Sequence, residues 1–300
     1  MKLNKIACPI CQNYHNYQIL YPKNFNISDL NVKIFSARRL PDKIHYRLIK
    51  CKKCDLVRSS PVADIKQLNK LYEKSLMTYE EEVGNLTQTY VNSIKPILKI
   101  LPKDAKILEI GCGNAFVLKA IYDLGYKNVY GIEPSKDAVN KSDKKIKNNI
   151  KLDILKPKLF PKNTFDFILI FQTFDHIPAP DKFLKECYRL LKPNGYILTF
   201  NHNIDSLTSK ILKEKSPIID IEHTFLYSPK TIRAIFEKYK FTVKKIYSPY
   251  NILSIKHLLW LIPLPKFIKQ RIVDSNSSIF NIKIKLQLGN LCLIAQKITK

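Results

Sequence analysis

From residue 105 onward two hydrophobic periods alternate along the chain. Short apolar runs at 105–110, 128–133, 150–153, 165–171, 196–200, 241–247 and 290–298 read as strands, and FDFILIF (165–171) is apolar enough to be buried on both faces. Between them, apolar residues recur every three or four positions. Val117, Ala120, Ile121 and Leu124 turn one face of a helix over 114–124 inward, a Lys-rich helix is expected near 135–147, and another over 181–191 precedes the turn Pro193-Asn194-Gly195. SPKTIRAIFEKY opens a further helix with Ser228 as N-cap and Pro229 at the first helical position. Strands alternating with helices predict an α/β fold on a doubly wound parallel sheet, whose ligands bind beyond the carboxyl ends of the strands.

The first hundred residues follow other patterns. Over 61–103 Ile65, Leu68, Tyr72 and Leu76 keep one helical face apolar, and Tyr90, Ile94, Ile97 and Leu101 do so again after a break at Gly84 and Asn85. Ahead of them stand two Cys-x-x-Cys pairs, Cys8 with Cys11 and Cys51 with Cys54. Two such knuckles supply the four thiolates of a closed, structural zinc site. The 39 residues between the pairs exceed the spacer of a compact finger and need a small ribbon of their own. His15 is read as a surface residue rather than a ligand. The expected organisation is a zinc-ribbon-like segment (1–60), a helical connector (61–103) and an α/β domain (104–300) carrying an insertion at 248–286.

Composition narrows the class. Among 300 residues no apolar run approaches the ~20 needed to span a membrane, and the start MKLNKIACPIC lacks the apolar core of a signal peptide, so a cytoplasmic protein is expected. Seven cysteines, an odd number, favour metal ligation and free thiols over disulfides. The formal charge of +26 raises a nucleic-acid partner, with twelve basic residues against three acidic over 1–60 and ten against one over 244–300. Yet only seven of the 51 basic residues are arginines, the preferred fork for phosphate and guanine. The abundance of Lys, Ile and Asn with few Gly also suits compositional drift in an AT-rich genome, which is the preferred reading. In the insertion, 251–273 mixes Leu258, Leu259, Trp260, Leu261 and Ile262 with Lys256, Lys266, Lys269 and Arg271. A lid or dimer contact is the preferred reading of that mix, and peripheral contact with a membrane interface is the other.

The chemistry centres on ILEIGCGNAF (107–116), where a strand ends beside an acid and two glycines. A dinucleotide fingerprint would require glycine at Phe116, and Glu109 would bring negative charge near a pyrophosphate. No Gly-Lys-Ser/Thr follows, which excludes a P-loop, so a nucleoside ligand without phosphates fits better. At these residues the chain resembles the class I S-adenosylmethionine-dependent methyltransferases, specifically small-molecule enzymes with an N-terminal zinc-binding segment. The resemblance covers most of 105–247 and the last strand. Glu109, Gly111 and Gly113 match the family's Glu/Asp-x-Gly-x-Gly-x-Gly loop, with Ala115 replacing the third glycine. VYGIEPS resembles the second strand, which implies that Glu133 binds the ribose hydroxyls, and Asp153 in IKLDIL resembles the acid that accepts from the adenine amino group. Gln172, just past the fourth strand, is implied as a further cofactor contact. FDFILIFQTFDHIPAPDKFLKECYRLLKPNGYILTF resembles the family stretch running through a Glu-His pair to RLLKPGG, with Asp175 for the Glu and Asn194 for a Gly. IEHTFLYSPKTIRAIFEKYKF resembles the Glu-His segment before the last helix. The resemblance implies a Rossmann-like seven-stranded sheet with an antiparallel last strand, S-adenosylmethionine as cofactor and a structural zinc ion.

Methyl transfer from a sulfonium is an in-line displacement whose leaving group the cofactor supplies, so alignment of acceptor, methyl and sulfur is the main task. Where the acceptor loses a proton, His176, His202 and His223 are the candidate bases, because neutral imidazole accepts a proton near pH 7. His223, next to Glu222, ranks first since it falls in the region where acceptors bind. Capping, loop orientation and backbone bonding remain open as structural roles for the three, and Cys112 reads as packing. The expected acceptor is a small molecule such as a sugar or glycan precursor. Two other readings stand: an RNA methyltransferase that uses the zinc ribbon and basic surface, and a non-catalytic protein that keeps the fold, suggested by Ala115, Asp175 and Asn194.

Overall fold

Seven apolar segments pair into one sheet. These are β1 (Ile107–Ile110), β2 (Val129–Glu133), β3 (Ile150–Leu152), β4 (Phe165–Phe171), β5 (Leu191–His202), β6 (Phe241–Tyr247) and β7 (Asn290–Lys297), in the spatial order β3-β2-β1-β4-β5-β7-β6. β1 to β5 run parallel, and β7 lies antiparallel between β5 and β6. The structure, a computed structural model, describes residues 3–26, 43–76, 83–261, 271 and 278–298.

Five helices flank the sheet or its ligand edge: α1 (Ile65–Glu73), α2 (Val83–Leu98), α3 (Phe116–Asp123), α4 (Pro180–Leu190) and α5 (Pro229–Lys238). Alternate residues of each strand serve opposite faces. Ile107, Phe167, Leu169 and Phe171 pack with Ile94 and Ile97 of α2 and Val117 and Ile121 of α3. Leu108, Ile110, Ile168 and Ile170 pack with Leu184 and Cys187 of α4 and Ile232 and Phe236 of α5. Both α5 start signals operate, since Ser228 and Thr231 form a reciprocal cap with Pro229 in the first turn.

The N-terminal segment is joined to this core. Tyr17–Tyr21, Leu48–Cys51 and Val57–Ser59 form an antiparallel sheet whose fourth strand, Phe225–Leu226, comes from the far end of the chain and pairs Phe225 with Arg58. Cys8, Cys51 and Leu56 are buried in the same cluster as the sheet residues that face α4 and α5.

Three local expectations are corrected. The Lys-rich helix over 135–147 is two short ones, Lys136–Asn140 and Lys144–Lys147, because the buried Ser142 bonds Val139 O and Asp143 accepts from Lys145 N to start again. Gly84 and Asn85 do not break a helix; they lie in the first turn of α2. On α1 only Leu68 is buried, while Ile65 is exposed and Leu76, also exposed, lies beyond the helix end. In the insertion, Asn251–Ser254 pairs with Lys283–Leu286 and the helix Ile255–Leu261 follows the first of these strands. Lys266, Lys269 and much of the rest of 251–273 lie outside the described residues. Among the described residues no helix is long and apolar enough to cross a membrane.

Phe236 is fully buried against Phe174 and Phe241, with ring centroids at 5.4 and 5.5 Å. Phe236→Ala is therefore expected to lower stability by about 3–5 kcal/mol in urea denaturation, the cost of an aromatic-sized cavity.

Candidate functional site

The carboxyl ends of β1, β2 and β4 open into a cavity of about 1260 Å³. Glu109, Gly111, Gly113, Glu133, Asp153 and Gln172 all line it, as do His176, His202 and His223. Ile65, Leu68 and Tyr72 of α1 line it too, on a helix whose Leu68 is also buried in a small cluster with Phe25, Tyr46, Val62, Ala63 and Ile221.

The loop after β1 turns by left-handed backbone. Gly111 (φ +73°), Gly113 (φ +55°) and Ala115 (φ +59°) all adopt it, and Ala115 holds this conformation while fully buried at the start of α3. A Cβ on Gly111 would stand 2.4 Å from Thr173 Oγ1, so the loop lies tight against the residue after Gln172. Phe116, where a dinucleotide loop would carry glycine, stacks on Tyr90 of α2, which in turn stacks on Phe171 with centroids 4.3 Å apart.

Two buried acids meet at this loop. Glu133 Oε2 accepts from Gly113 N–H and Oε1 from Ser135 N–H, both at 2.8 Å. Burial pushes its carboxyl up, against the lowering effect of those two bonds. Glu109 is pushed well above the carboxylate range, first by burial and then by the charge of Glu133, and its Oε2 makes no hydrogen bond. Burial thus favours the neutral form of this acid, and a cation placed beside it would restore the carboxylate. Asp153 accepts from Ile154 N–H at 2.8 Å and pairs with Lys156 at 2.5 Å. Gln172 is in left-handed conformation; its Nε2 reaches Asn290 Oδ1 at 3.4 Å and its buried Oε1 has no partner.

The three histidines form one cluster. His223 lies between the other two, with ring centroids 4.8 Å from His176 and 4.9 Å from His202. His223 Nδ1 bonds Ile218 O at 2.8 Å, so Nδ1 carries the proton, and His176 Nδ1 meets Tyr72 OH at 3.2 Å. Burial, followed by the proximity of His223, pushes His202 down to about 3. Asp175 sits between His176 and His223, its oxygens 3.8 and 3.9 Å from their Nε2 atoms. Sequence reasoning did not assign Tyr72 or Asp175 to the site. Tyr72 read as part of an apolar helical stripe and Asp175 as a replaced Glu; the adjacency of Asp175 to His176 was the available signal.

The four cysteines Cys8, Cys11, Cys51 and Cys54 also converge, with sulfur atoms all within 4.8 Å of one another. Their two turns are alike: Gln12 N–H bonds Cys8 O at 2.8 Å and Asp55 N–H bonds Cys51 O at 2.9 Å, and both Gln12 and Asp55 have positive φ. Burial opposes ionisation of Cys51, but the N–H groups of Lys53 and Cys54 and the neighbouring thiols outweigh it and bring it to about 7.

This arrangement, a doubly wound sheet with an acid-flanked glycine loop and a second acid on the next strand, defines a Rossmann-like α/β protein. Residues 83–246 match the model of the methyltransferase domain family, and the chain belongs to that family of class I S-adenosylmethionine-dependent proteins. It is 34% identical over 116 residues to the ubiquinone biosynthesis O-methyltransferase of Pelagibacter ubique, covering 37% of this chain and 48% of that one. It is 29% identical over 175 residues to the tRNA U34 carboxymethyltransferase of Campylobacter fetus, covering 55% and 58%. The chain thus spans about half the length of these curated relatives. The YcgJ protein of Bacillus subtilis shares the fold, with a TM-score of 0.50, 15% identity, and coverage of 70% of this chain and 99% of that one.

Gly111→Ala is expected to displace Thr173 and strain the loop, lowering stability by about 1–3 kcal/mol in chemical denaturation. The folded-state value of about 3 for His202 lies below its ordinary 6.5, so the unfolded chain takes up that proton first. The stability His202 contributes is therefore full above pH ~6.5 and is lost as pH falls toward 3; His202→Asn should flatten urea midpoints across that window.

Proposed function

We propose that the protein transfers a methyl group from S-adenosylmethionine to a small-molecule acceptor of the size of a sugar or glycan precursor. The observation that carries this reading is the cavity: at about 1260 Å³ it exceeds the usual size for one compact ligand. Its walls come from α1 and from Asn251, Ile252 and Leu253 of the insertion as well as from the sheet. Such a site suits an acceptor that enters whole, not an RNA helix lying across an open groove.

The residues present fit the cofactor. The orphaned oxygen of Glu109 calls for a cationic partner, which the methionyl ammonium or sulfonium provides. Glu133 retains lone pairs for the ribose hydroxyls beyond its two backbone bonds, Asp153 accepts from the adenine amino group, and Gln172 completes the contact. The cofactor when bound supplies an activated methyl group with its leaving group attached. The chain aligns the acceptor and takes its proton, with His223 as first candidate base because its protonated Nδ1 leaves Nε2 free to accept. His176 and His202 are the alternatives, and the low basicity of His202 disfavours it. The four-cysteine cluster fits a structural zinc ion: tetrahedral Zn–S bonds of about 2.3 Å place sulfur atoms about 3.8 Å apart, near the 3.3 and 3.4 Å of the Cys8–Cys54 and Cys11–Cys51 pairs. In this reading segment 1–60 and connector 61–103 form a cover for the catalytic domain at 104–300.

The ubiquinone O-methyltransferase relatives support a small acceptor. The tRNA carboxymethyltransferase supports a second reading, methyl transfer to RNA, which would show activity falling steeply with salt. The test offers labelled S-adenosylmethionine with sugar nucleotides and, separately, bulk RNA. Label is expected in the sugar-nucleotide fraction, and His223→Gln should lower kcat by roughly 10²–10⁴-fold with cofactor affinity retained. Label in RNA alone would install the second reading, and absence of cofactor binding in calorimetry would leave a non-catalytic protein.

A further inference from the structure

Asp175 occupies the short 3-10 turn Phe174–His176 after β4 and is 1% exposed, yet neither of its carboxylate oxygens accepts a hydrogen bond. A buried carboxylate without donors is costly, so the arrangement needs a compensating charge. What faces it is a pair of imidazole nitrogens at distances too long for hydrogen bonds: His176 Nε2 is 3.8 Å from Oδ1 and His223 Nε2 is 3.9 Å from Oδ2. The bond from His223 Nδ1 to the carbonyl of Ile218, at 2.8 Å, puts the ring proton on Nδ1 and turns the Nε2 lone pair toward the carboxylate. His176 is oriented by the contact of its Nδ1 with Tyr72 OH, which turns its Nε2 to the same carboxylate. A buried carboxylate without hydrogen bonds and two imidazole nitrogens thus face one small space, a set that a cation between them would satisfy.

The spacing suits such a cation. Ligand atoms about 2.1 Å from one metal ion stand roughly 3.0–4.2 Å apart, and one atom from each of Asp175, His176 and His223 lies within 4.8 Å of the others. A contraction of about half an ångström, within side-chain adjustment, closes the set. The outer contacts match as well, because a histidine ligand ordinarily donates its second N–H to a carbonyl or similar group, the part taken by Ile218 O for His223. We propose that Asp175, His176 and His223 bind one divalent transition-metal ion, such as Mn²⁺, Fe²⁺, Co²⁺ or Zn²⁺, in the acceptor half of the cavity.

Two imidazoles and one carboxylate leave coordination positions for other ligands. An acceptor oxygen bound there would release its proton to solvent water more readily, and the ion would also fix its direction relative to the methyl group. For this role, though not for the binding itself, the proposal rests on the methyl-transfer reading. With the ion bound, His176 and His223 are ligands and the base role of His223 passes to solvent water, since the same Nε2 cannot hold an ion and take a proton; His223→Gln lowers kcat in either case. The site is separate from the four-cysteine cluster in ligand chemistry: carboxylate and imidazole accept Mn²⁺, whereas four thiolates select zinc.

The test uses the full chain with zinc supplied to the cysteines and titrates it with Mn²⁺, following loss of the free-ion electron paramagnetic resonance signal. One Mn²⁺ is expected to bind per chain. Asp175→Asn and His176→Ala should each weaken that binding at least tenfold, while calorimetry with S-adenosylmethionine shows that both variants keep a folded cofactor site. A wild-type protein that binds S-adenosylmethionine but leaves the Mn²⁺ signal unchanged, and shows no Co²⁺ d–d absorption when Co²⁺ replaces Mn²⁺, would overturn the proposal. So would Mn²⁺ binding that neither variant alters. Mn²⁺ binding lost in the variants, in a protein that binds no S-adenosylmethionine, would uphold the site and sink the methyl-transfer reading instead.

Discussion

The burial of β4 on both faces is the constraint from which the rest of the architecture follows. A parallel strand reading FDFILIF must be covered above and below, and α2 with α3 on one side and α4 with α5 on the other provide the cover. With both faces closed, the remaining outlet for polar chemistry is the ends of the strands. Glu109 and Glu133 therefore stand side by side at the ends of β1 and β2, and Gln172, Asp175 and His176 follow at the end of β4.

That crowding gives the site its character. Three acids, Glu109, Glu133 and Asp175, lie almost wholly out of water near the ends of the strands, and no neighbouring arginine or lysine pairs with any of them among the described residues. Glu133 is stabilised by two backbone N–H bonds, whereas Glu109 and Asp175 carry orphaned oxygens. Buried acids in that condition are candidates for positively charged ligands. The covering elements complete the enclosure: α1 turns its apolar stripe and Tyr72 toward the cavity, and the zinc-ribbon-like segment is anchored through Phe225–Leu226, one residue beyond the His223-Thr224 step.

Much of this was legible from residue types alone. Strand positions in the sheet, the loop at 107–116, the acids Glu109 and Glu133 and the two cysteine pairs all follow from local signals: uninterrupted apolar runs, glycines in a tight turn and a repeated ligand spacing. Where local signals misled, a competing local bond or a distant surface was responsible. Asp143 restarted a helix that its lysines could have continued, and α1 displayed an amphipathic stripe that is shared between a small core around Leu68 and the cavity. Periodicity states that a face is apolar; it does not state what that face meets.

The sequence by itself determined the order of strands and helices, the glycine loop after β1 and the two Cys-x-x-Cys turns, because each depends on residues within a turn or two of one another. Only the tertiary structure decided that His176, His202 and His223 share one cluster, that Asp175 faces two imidazole nitrogens, and that Tyr72 reaches across 104 positions to His176. These contacts join elements far apart in the chain. Their distances are set by how helices and strands pack around β4, and packing is a property of the whole core rather than of any segment.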